Sequence, residues 1–262
     1  MYTREITVLP SDSSCLGTVK LRSLLNYFQD TAGFAVNDIE GTTTEMIAKG
    51  YAWILTRYEI EFIGKLPELD EKFLINTFHD PAHGYNTLRV FDVRTPNGTP
   101  LIWAKTSWLL LDLAAGRPVK PAANLPEILI NDTQNIEPDF QDIPDFDDNK
   151  ILKSVEFNVK FHDLDYNSHV NNAAYFEWVF DESPIDFMNY DLKSVCASFR
   201  SGAKFGEKVS LQFSQTDKAD EENKKNEENE KDERTFVCKI LRENVKKPCA
   251  NFLCVWQKKP EI

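Results

Sequence analysis

The order of local patterns in this chain occurs twice, and that recurrence limits the folds available to it more than any single motif does. From Val19 to Ala35, Leu21, Leu24, Leu25, Phe28, Ala32 and Ala35 stand at helical spacing, so one face is apolar while Arg22, Asn26, Gln29 and Asp30 point elsewhere. A short helical stretch, Thr43 to Lys49, closes at Gly50. Runs of β-branched and aromatic residues follow at Trp53–Phe62, Lys72–Phe78, Asn86–Arg94 and Leu101–Asp112, the last two joined through a hairpin at Pro96-Asn97-Gly98. A second round then opens with an extended Val155–Phe161 and a helix from Asn172 to Asp181. Its strands are Ser194–Phe199, Lys208–Gln215, Phe236–Arg242 and Ala250–Gln257.

The reading is an α+β chain of two copies of one unit: a strand, a long helix, then an antiparallel sheet curved around that helix. Superposing Tyr27-Phe28 on Tyr175-Phe176, an offset of 175 − 27 = 148, also pairs Leu16 with Leu164 and sets both helices in phase. The expected boundaries are 1–128 for the first unit, 129–150 for a linker and 151–262 for the second. Pro118, Pro121, Pro126, Pro138 and Pro144 stand too close together for a helix or a central strand, so this stretch is expected to wrap over a surface.

The net charge is 30 − 42 = −12 over 262 residues. An acidic chain lacks the basic face that displaces phosphate counterions, so nucleic acid is not an expected partner. No apolar run approaches a membrane span, and MYTREITVLP has neither the basic start nor the apolar stretch of a signal peptide, so a cytoplasmic protein without a membrane partner is expected. Residues 217–234 hold nine acids and five bases, a solvated insertion between two strands. Cys15, Cys196, Cys238, Cys249 and Cys254 form no CxxC and are expected as buried free thiols.

Four histidines make the search for a general base short. His79 and His83 bracket Pro81 ahead of Gly84, where an exposed loop is expected, and His162 follows a strand end. His169 differs. It closes Leu164-Asp165-Tyr166-Asn167-Ser168-His169-Val170-Asn171-Asn172, immediately before the second helix. In an extended segment Asp165, Asn167 and His169, two apart, project to one side. A carboxylate, a carboxamide and an imidazole together supply the parts of acyl chemistry, and backbone N–H groups of Val170 and Asn171 at the helix N-terminus are expected to support an oxyanion. Capping by Asn171 or Asn172 accounts for only part of this polarity. No second histidine or cysteine stands at metal-ligand spacing.

The segment, followed by Tyr175, Trp178 and Glu182-Ser183-Pro184, resembles the L-D-x-N-x-H-V-N-N-x-x-Y-x-x-W signature of the acyl-acyl carrier protein thioesterases. The first half is similar too, in Val19 to Asp30, in Trp53-Ile54-Leu55-Thr56-Arg57 and in Trp108 to Pro118. The resemblance implies a tandem (double) hot-dog fold, in which Asp165, Asn167 and His169 are catalytic. It implies hydrolysis of medium- or long-chain fatty acyl-acyl carrier protein, which terminates fatty acid synthesis. No metal or organic cofactor is implied, the carrier protein is the expected partner, and a homodimer is left open.

This chain departs from the pattern at one place. Where the family often carries a glutamate after the helix, Phe199-Arg200-Ser201-Gly202 puts Gly202. Glu207 matches an acidic turn residue instead, and Glu177 and Asp181 are the remaining candidates to compensate. At offset 148 the first unit carries Gly17, Val19 and Leu21 opposite the trio, so it is expected to hold the acyl chain and perform no chemistry. An acyl-CoA thioesterase and a non-catalytic acyl-thioester-binding protein are the alternatives. Docking an acidic carrier protein on an acidic chain requires a local basic patch, to which Lys204 or Lys208 is expected to contribute.

Overall fold

A computed structural model of the chain describes residues 1–39, 41–125, 136–216 and 233–260. The chain divides into two compact units, Met1–Phe140 and Gln141–Ile262.

In the first unit the elements run β1 (Tyr2–Thr7), α1 (Leu21–Phe34), α2 (Thr43–Ala48), β2 (Tyr51–Phe62), β3 (Lys72–His83), β4 (Asn86–Arg94), β5 (Pro100–Asp112), β6 (Arg117–Val119) and α3 (Pro121–Asn124). Its antiparallel sheet has the order β1-β3-β4-β5-β2, with β6 added to β5. Helix α1 buries Leu24, Leu25 and Phe28, three positions of the predicted face, together with Thr31. Phe28 stacks on Phe91 of β4 at 4.7 Å between centroids, and Tyr27 meets Phe73 of β3 at 6.2 Å. Gly50 leaves α2 at φ 86°, as the sequence pattern predicts, and Thr42 and Glu45 cap its start reciprocally.

The second unit runs β7 (Ile151–Asn158), α4 (Asn172–Glu182), β8 (Tyr190–Phe199), β9 (Lys208–Gln215), β10 (Glu233–Arg242) and β11 (Ala250–Lys258). Its sheet order is β7-β9-β10-β11-β8. Matched element by element, with β7 for β1, β9 for β3 and so on, this is the order of the first unit. Helix α4 buries Ala173, Ala174, Tyr175, Phe176, Trp178 and Val179. Phe176 packs edge-on against Phe252 of β11 at 5.1 Å, and Trp178 against Phe157 of β7 at 5.0 Å. With Tyr175 also 5.7 Å from Phe199 of β8, one helix reaches both ends of its strand order, which requires the sheet to curve.

The repeat is real, but its offset is 151 and not 148. Helices α1 and α4 begin at Leu21 and Asn172. The isolated bridges Ser13↔Val19 and Leu164↔Val170 stand 151 apart. So do both ends of the bonds Lys20 N–H to Asp12 O and Asn171 N–H to Asp163 O. The three-residue error is close to one helical turn, so a shifted superposition still lays apolar face on apolar face.

Three further expectations change. The proline-rich stretch, expected to hold no helix, forms the short α3 at Pro121–Asn124, with Pro121 in its first turn where a missing N–H costs no bond. Strand β3 continues through the expected loop to His83, with an irregularity in its pairing between Asp80 and His83 that accommodates Pro81. His79 is therefore a half-buried strand residue opposite Arg89. Of the five cysteines, Cys196, Cys238, Cys249 and Cys254 are buried free thiols, but Cys15 is exposed. Burial raises the Cys249 thiol to about 11.

The linker is fastened at both described ends. Ile136 N–H donates to the buried Asp80 carboxylate at 3.2 Å, and Phe140 lies under Arg57 and Lys105 at 5.3 and 4.7 Å. On the second unit Ile143 and Phe146 pack against Cys196, Val237 and Leu253, and Lys239 sits over Phe146 at 4.1 Å. Residues 129–135 of the expected linker, and the insertion as far as residue 232, lie outside the described residues. Glu233 and Arg234 open β10.

Candidate active site

Between β7 and α4 the chain makes a 3-10 turn, Phe161–Asp163, and then a tight loop closed by the Leu164↔Val170 bridge. Asp165 N–H donates to His169 O at 2.8 Å and Ser168 N–H to Asp165 O at 3.0 Å. The Asp165 carboxylate turns inward, with Oδ1 accepting from Asn167 N–H at 2.8 Å and from His169 N–H at 3.4 Å. Ser168 takes the left-handed conformation at φ 60°. The segment is thus a side-chain-braced turn, not the extended run whose alternation predicted a shared side. It brings Asp165, Asn167 and His169 together by folding back.

The equivalent loop of the first unit shows which of these bonds are scaffold. There Ser14 stands for Asp165, Leu16 for Asn167 and Thr18 for His169, replacing the expected Gly17, Val19 and Leu21 as opposites of the trio. Ser14 N–H donates to Thr18 O at 2.8 Å, and Gly17 N–H donates to Ser14 O at 3.0 Å. Leu16 N–H donates to Ser14 Oγ at 3.2 Å. Gly17, at φ 80°, occupies the position of Ser168. A serine therefore builds the same turn. A carboxylate at 165 is more than the fold requires.

His169 is half-buried, and its Nδ1 is 2.9 Å from Asn167 O. A carbonyl oxygen only accepts, so this contact assigns the proton to Nδ1 and leaves Nε2 as the acceptor nitrogen. Asn167 positions the imidazole through its main chain, and its exposed carboxamide is left to face solvent or a ligand.

The expected oxyanion donors are not available. Val170 N–H donates to Ala203 O at 2.9 Å and Asn171 N–H to Asp163 O at 2.8 Å. Asn171 serves as the α4 cap, its Oδ1 accepting from Ala173 N–H at 2.8 Å. The reason lies in the fold: both amides close contacts that seat the loop on its unit, as Val19 and Lys20 do in the first. Asp181 lies nine residues along α4, roughly 13 Å up the axis, beyond hydrogen-bond reach of the loop. Burial, with Glu177 and Glu182 nearby, raises its pKa. Glu207 accepts from Lys204 N–H at 3.0 Å and faces Arg242 at 3.7 Å, a turn residue as its place in the sequence predicts.

Residues 201–203, which the sequence marks only by the absent glutamate, prove to back the histidine. A Cβ placed on Gly202 would lie 2.8 Å from His169 Cδ2 and 3.2 Å from its Cβ and Cγ. Arg242 Nη1 donates to Gly202 O at 3.2 Å and Nη2 to Ser201 Oγ at 3.4 Å. Tyr175, whose ionisation burial opposes strongly, accepts from Ala203 N–H at 2.8 Å. Tyr175 stood in the recognised motif. Nothing in the sequence pointed to Arg242, 73 residues beyond His169.

The acyl-ACP thioesterase N-terminal domain matches residues 1–128, and the acyl-ACP thioesterase C-terminal domain matches residues 147–244. The chain belongs to the acyl-ACP thioesterase family. It is 24% identical over 197 residues to a chloroplastic palmitoyl-acyl carrier protein thioesterase of Arabidopsis thaliana, covering 70% of this chain and 47% of that protein. It is 26% identical over 206 residues to the Cuphea hookeriana protein of the same name, again covering 70% and 47%. The chain thus spans about half the length of these curated relatives. Among solved structures, the 12:0-ACP thioesterase from Umbellularia californica superposes with a TM-score of 0.81 at 16% identity, over 98% of this chain and 94% of that one. An acyl-ACP thioesterase from Bacteroides thetaiotaomicron gives 0.78 at 19%, over 97% of both. At these identities the likeness is one of fold, the double hot-dog. Among the described residues no helix is long and apolar enough to cross a membrane.

Proposed function

We propose that this member of the family hydrolyses the thioester between a fatty acyl chain and the phosphopantetheine arm of acyl carrier protein, releasing free fatty acid. The observation that carries the reading is the loop geometry: an imidazole with Nδ1–H tied to Asn167 O and Nε2 left to accept, beside a carboxamide and a carboxylate. Water gives a proton to Nε2 as its oxygen bonds to the thioester carbonyl carbon, and the Asn167 carboxamide donates to the carbonyl oxygen as charge develops there. Collapse of the tetrahedral intermediate breaks the C–S bond, and the thiolate recovers the proton from His169. Asp165 shares one oxygen with two main-chain donors, which blunts it as a nucleophile and suits it to orienting the loop and stabilising the imidazolium. Asp165, Asn167 and His169 are thus the catalytic residues of this reading. The first unit, with Ser14, Leu16 and Thr18 in the equivalent loop, is assigned to the acyl chain.

Charge distribution supports a carrier protein as the partner. Residue pairs Asn158↔Lys208, Arg242↔Val209, Ile240↔Ala250 and Ala250↔Phe199 put the ends of β7, β8 and β10 and the starts of β9 and β11 at one end of the sheet. The site loop leaves from that end. So do the segments carrying the exposed Lys160, Arg200, Lys204, Lys246 and Lys247. Lys208, by contrast, pairs with Glu156 at 2.6 Å. An acidic protein approaching this end meets a basic rim around the site.

The deciding experiment is free-fatty-acid release from acyl carrier protein substrates of several chain lengths. The expected result is turnover by the intact chain and a loss of roughly 10²-fold or more in kcat for His169→Ala. Binding without release by either protein overturns the reading.

A further inference from the structure

Gly202 has no backbone reason to be glycine: it is not among the positive-φ residues, unlike Gly17, Gly98 or Gly206. Its reason is space. A Cβ there would stand 2.8 Å from the edge of the His169 ring, closer than real Cβ atoms approach. Rotating the ring relieves only the closest contact, because the same Cβ would still be 3.2 Å from His169 Cβ, which does not move with χ1, so the main chain would have to give by a few tenths of an ångström.

Nor is the backbone around Gly202 free to retreat. Arg200 N–H donates to Cys249 O at 2.9 Å, Ala203 O accepts from Val170 N–H at 2.9 Å, and Ala203 N–H is held by Tyr175. Arg242 grips the centre of this strap, at Gly202 O and at Ser201 Oγ. The imidazole therefore lies between two fixed main-chain surfaces, Asn167 O on the Nδ1 edge and Gly202 on the Cδ2 edge.

We infer that Gly202 is a positioning residue for His169, with Arg242 as the side chain that fixes it, so that the ring is held in place by steric confinement. The inference rests on the reading of His169 as the base. It carries an unexpected consequence: restoring the glutamate by Gly202→Glu displaces the ring rather than repairing a network, and so lowers turnover.

The test uses the intact chain and the variants Gly202→Ala, Gly202→Glu, Arg242→Gln and Arg242→Lys, with two readouts. Nitrogen-15 spectra of the His169 ring report the tautomer without any substrate, and steady-state kinetics separate kcat from KM. In Gly202→Ala the Nδ1–H tautomer is expected to give way to a mixture, and kcat to fall by roughly 10²-fold while KM stays within about twofold. Gly202→Glu is expected to fall at least as far. Arg242→Gln, which leaves the glycine in place and guards against misfolding of the Gly202 variants, is expected to show the same signature more weakly, with partial rescue by Arg242→Lys. An unchanged ring spectrum and kcat in Gly202→Ala, or a gain in kcat for Gly202→Glu, overturns the inference. If the intact chain releases no fatty acid while Gly202→Ala still shifts the ring spectrum, the proposed function fails and the positioning role stands.

Discussion

At the residue scale, the two units act as a control on each other. Asp165 and Ser14 brace the same turn with the same main-chain bonds, so the turn by itself does not require a carboxylate. Asp165→Ser is then a substitution for which the fold already supplies the precedent. It is expected to leave the melting temperature nearly unchanged and to lower kcat by roughly 10²-fold. Calorimetry and turnover on one preparation check this; loss of both together would make Asp165 a structural residue. Asp165, Asn167 and His169 were legible as candidates because their residue types and spacing suit acyl chemistry. The bonds that arrange them were not, because an Asx-braced turn and an extended run share the same composition.

Among the elements, α1 and α4 reach the same position by different means. Lys20, at the start of α1, makes no side-chain cap, and that helix relies on Leu24, Leu25 and Phe28 in its core face. Helix α4 has the Asn171 cap as well as its buried aromatic face. Removing the cap by Asn171→Ala is expected to cost about 1 kcal/mol, read as a lower denaturant midpoint with an unchanged slope. Because the cap sits next to Val170 and the bridge to Leu164, the loop is expected to loosen with it. The positions of α1, α2, α4, β2 to β5 and β7 to β11 followed from periodicity to within about five residues, whereas β1, β6 and α3 did not. The superposition of the two helices did not, since an error of three residues preserves the apolar stripe.

For the whole molecule, the sign of the net charge is less informative than its placement. The chain leaves β9 at Gln215 and returns to β10 at Glu233, at the end of the sheet opposite the site, and the sequence between residues 217 and 232 holds eight acids and four bases. The site end carries the basic rim. Reversing charge by Lys246→Glu with Lys247→Glu is expected to lower kcat/KM for acyl carrier protein substrates and to spare an acyl pantetheine thioester with no protein attached. The difference should shrink as salt rises, because screening removes the attraction that the reversal opposes. Equal effects on both substrates, at every ionic strength, would count against a docking role for the rim.

The sequence by itself determined most of the elements, the recurrence of their order and the loop proposed to hold the chemistry. Each of these is written in local periodicity or in residues that stand near one another along the chain. Only the tertiary structure decided the register of the repeat, the commitment of the Val170 and Asn171 amides, and the closeness of Gly202 and Arg242 to the histidine. Those depend on atoms brought together from residues 163, 169, 202 and 242, whose separation along the chain carries no record of their distance in space. An absent glutamate was visible in the sequence as a missing charge. The fold shows that its place is also a missing volume, taken up by the ring of His169.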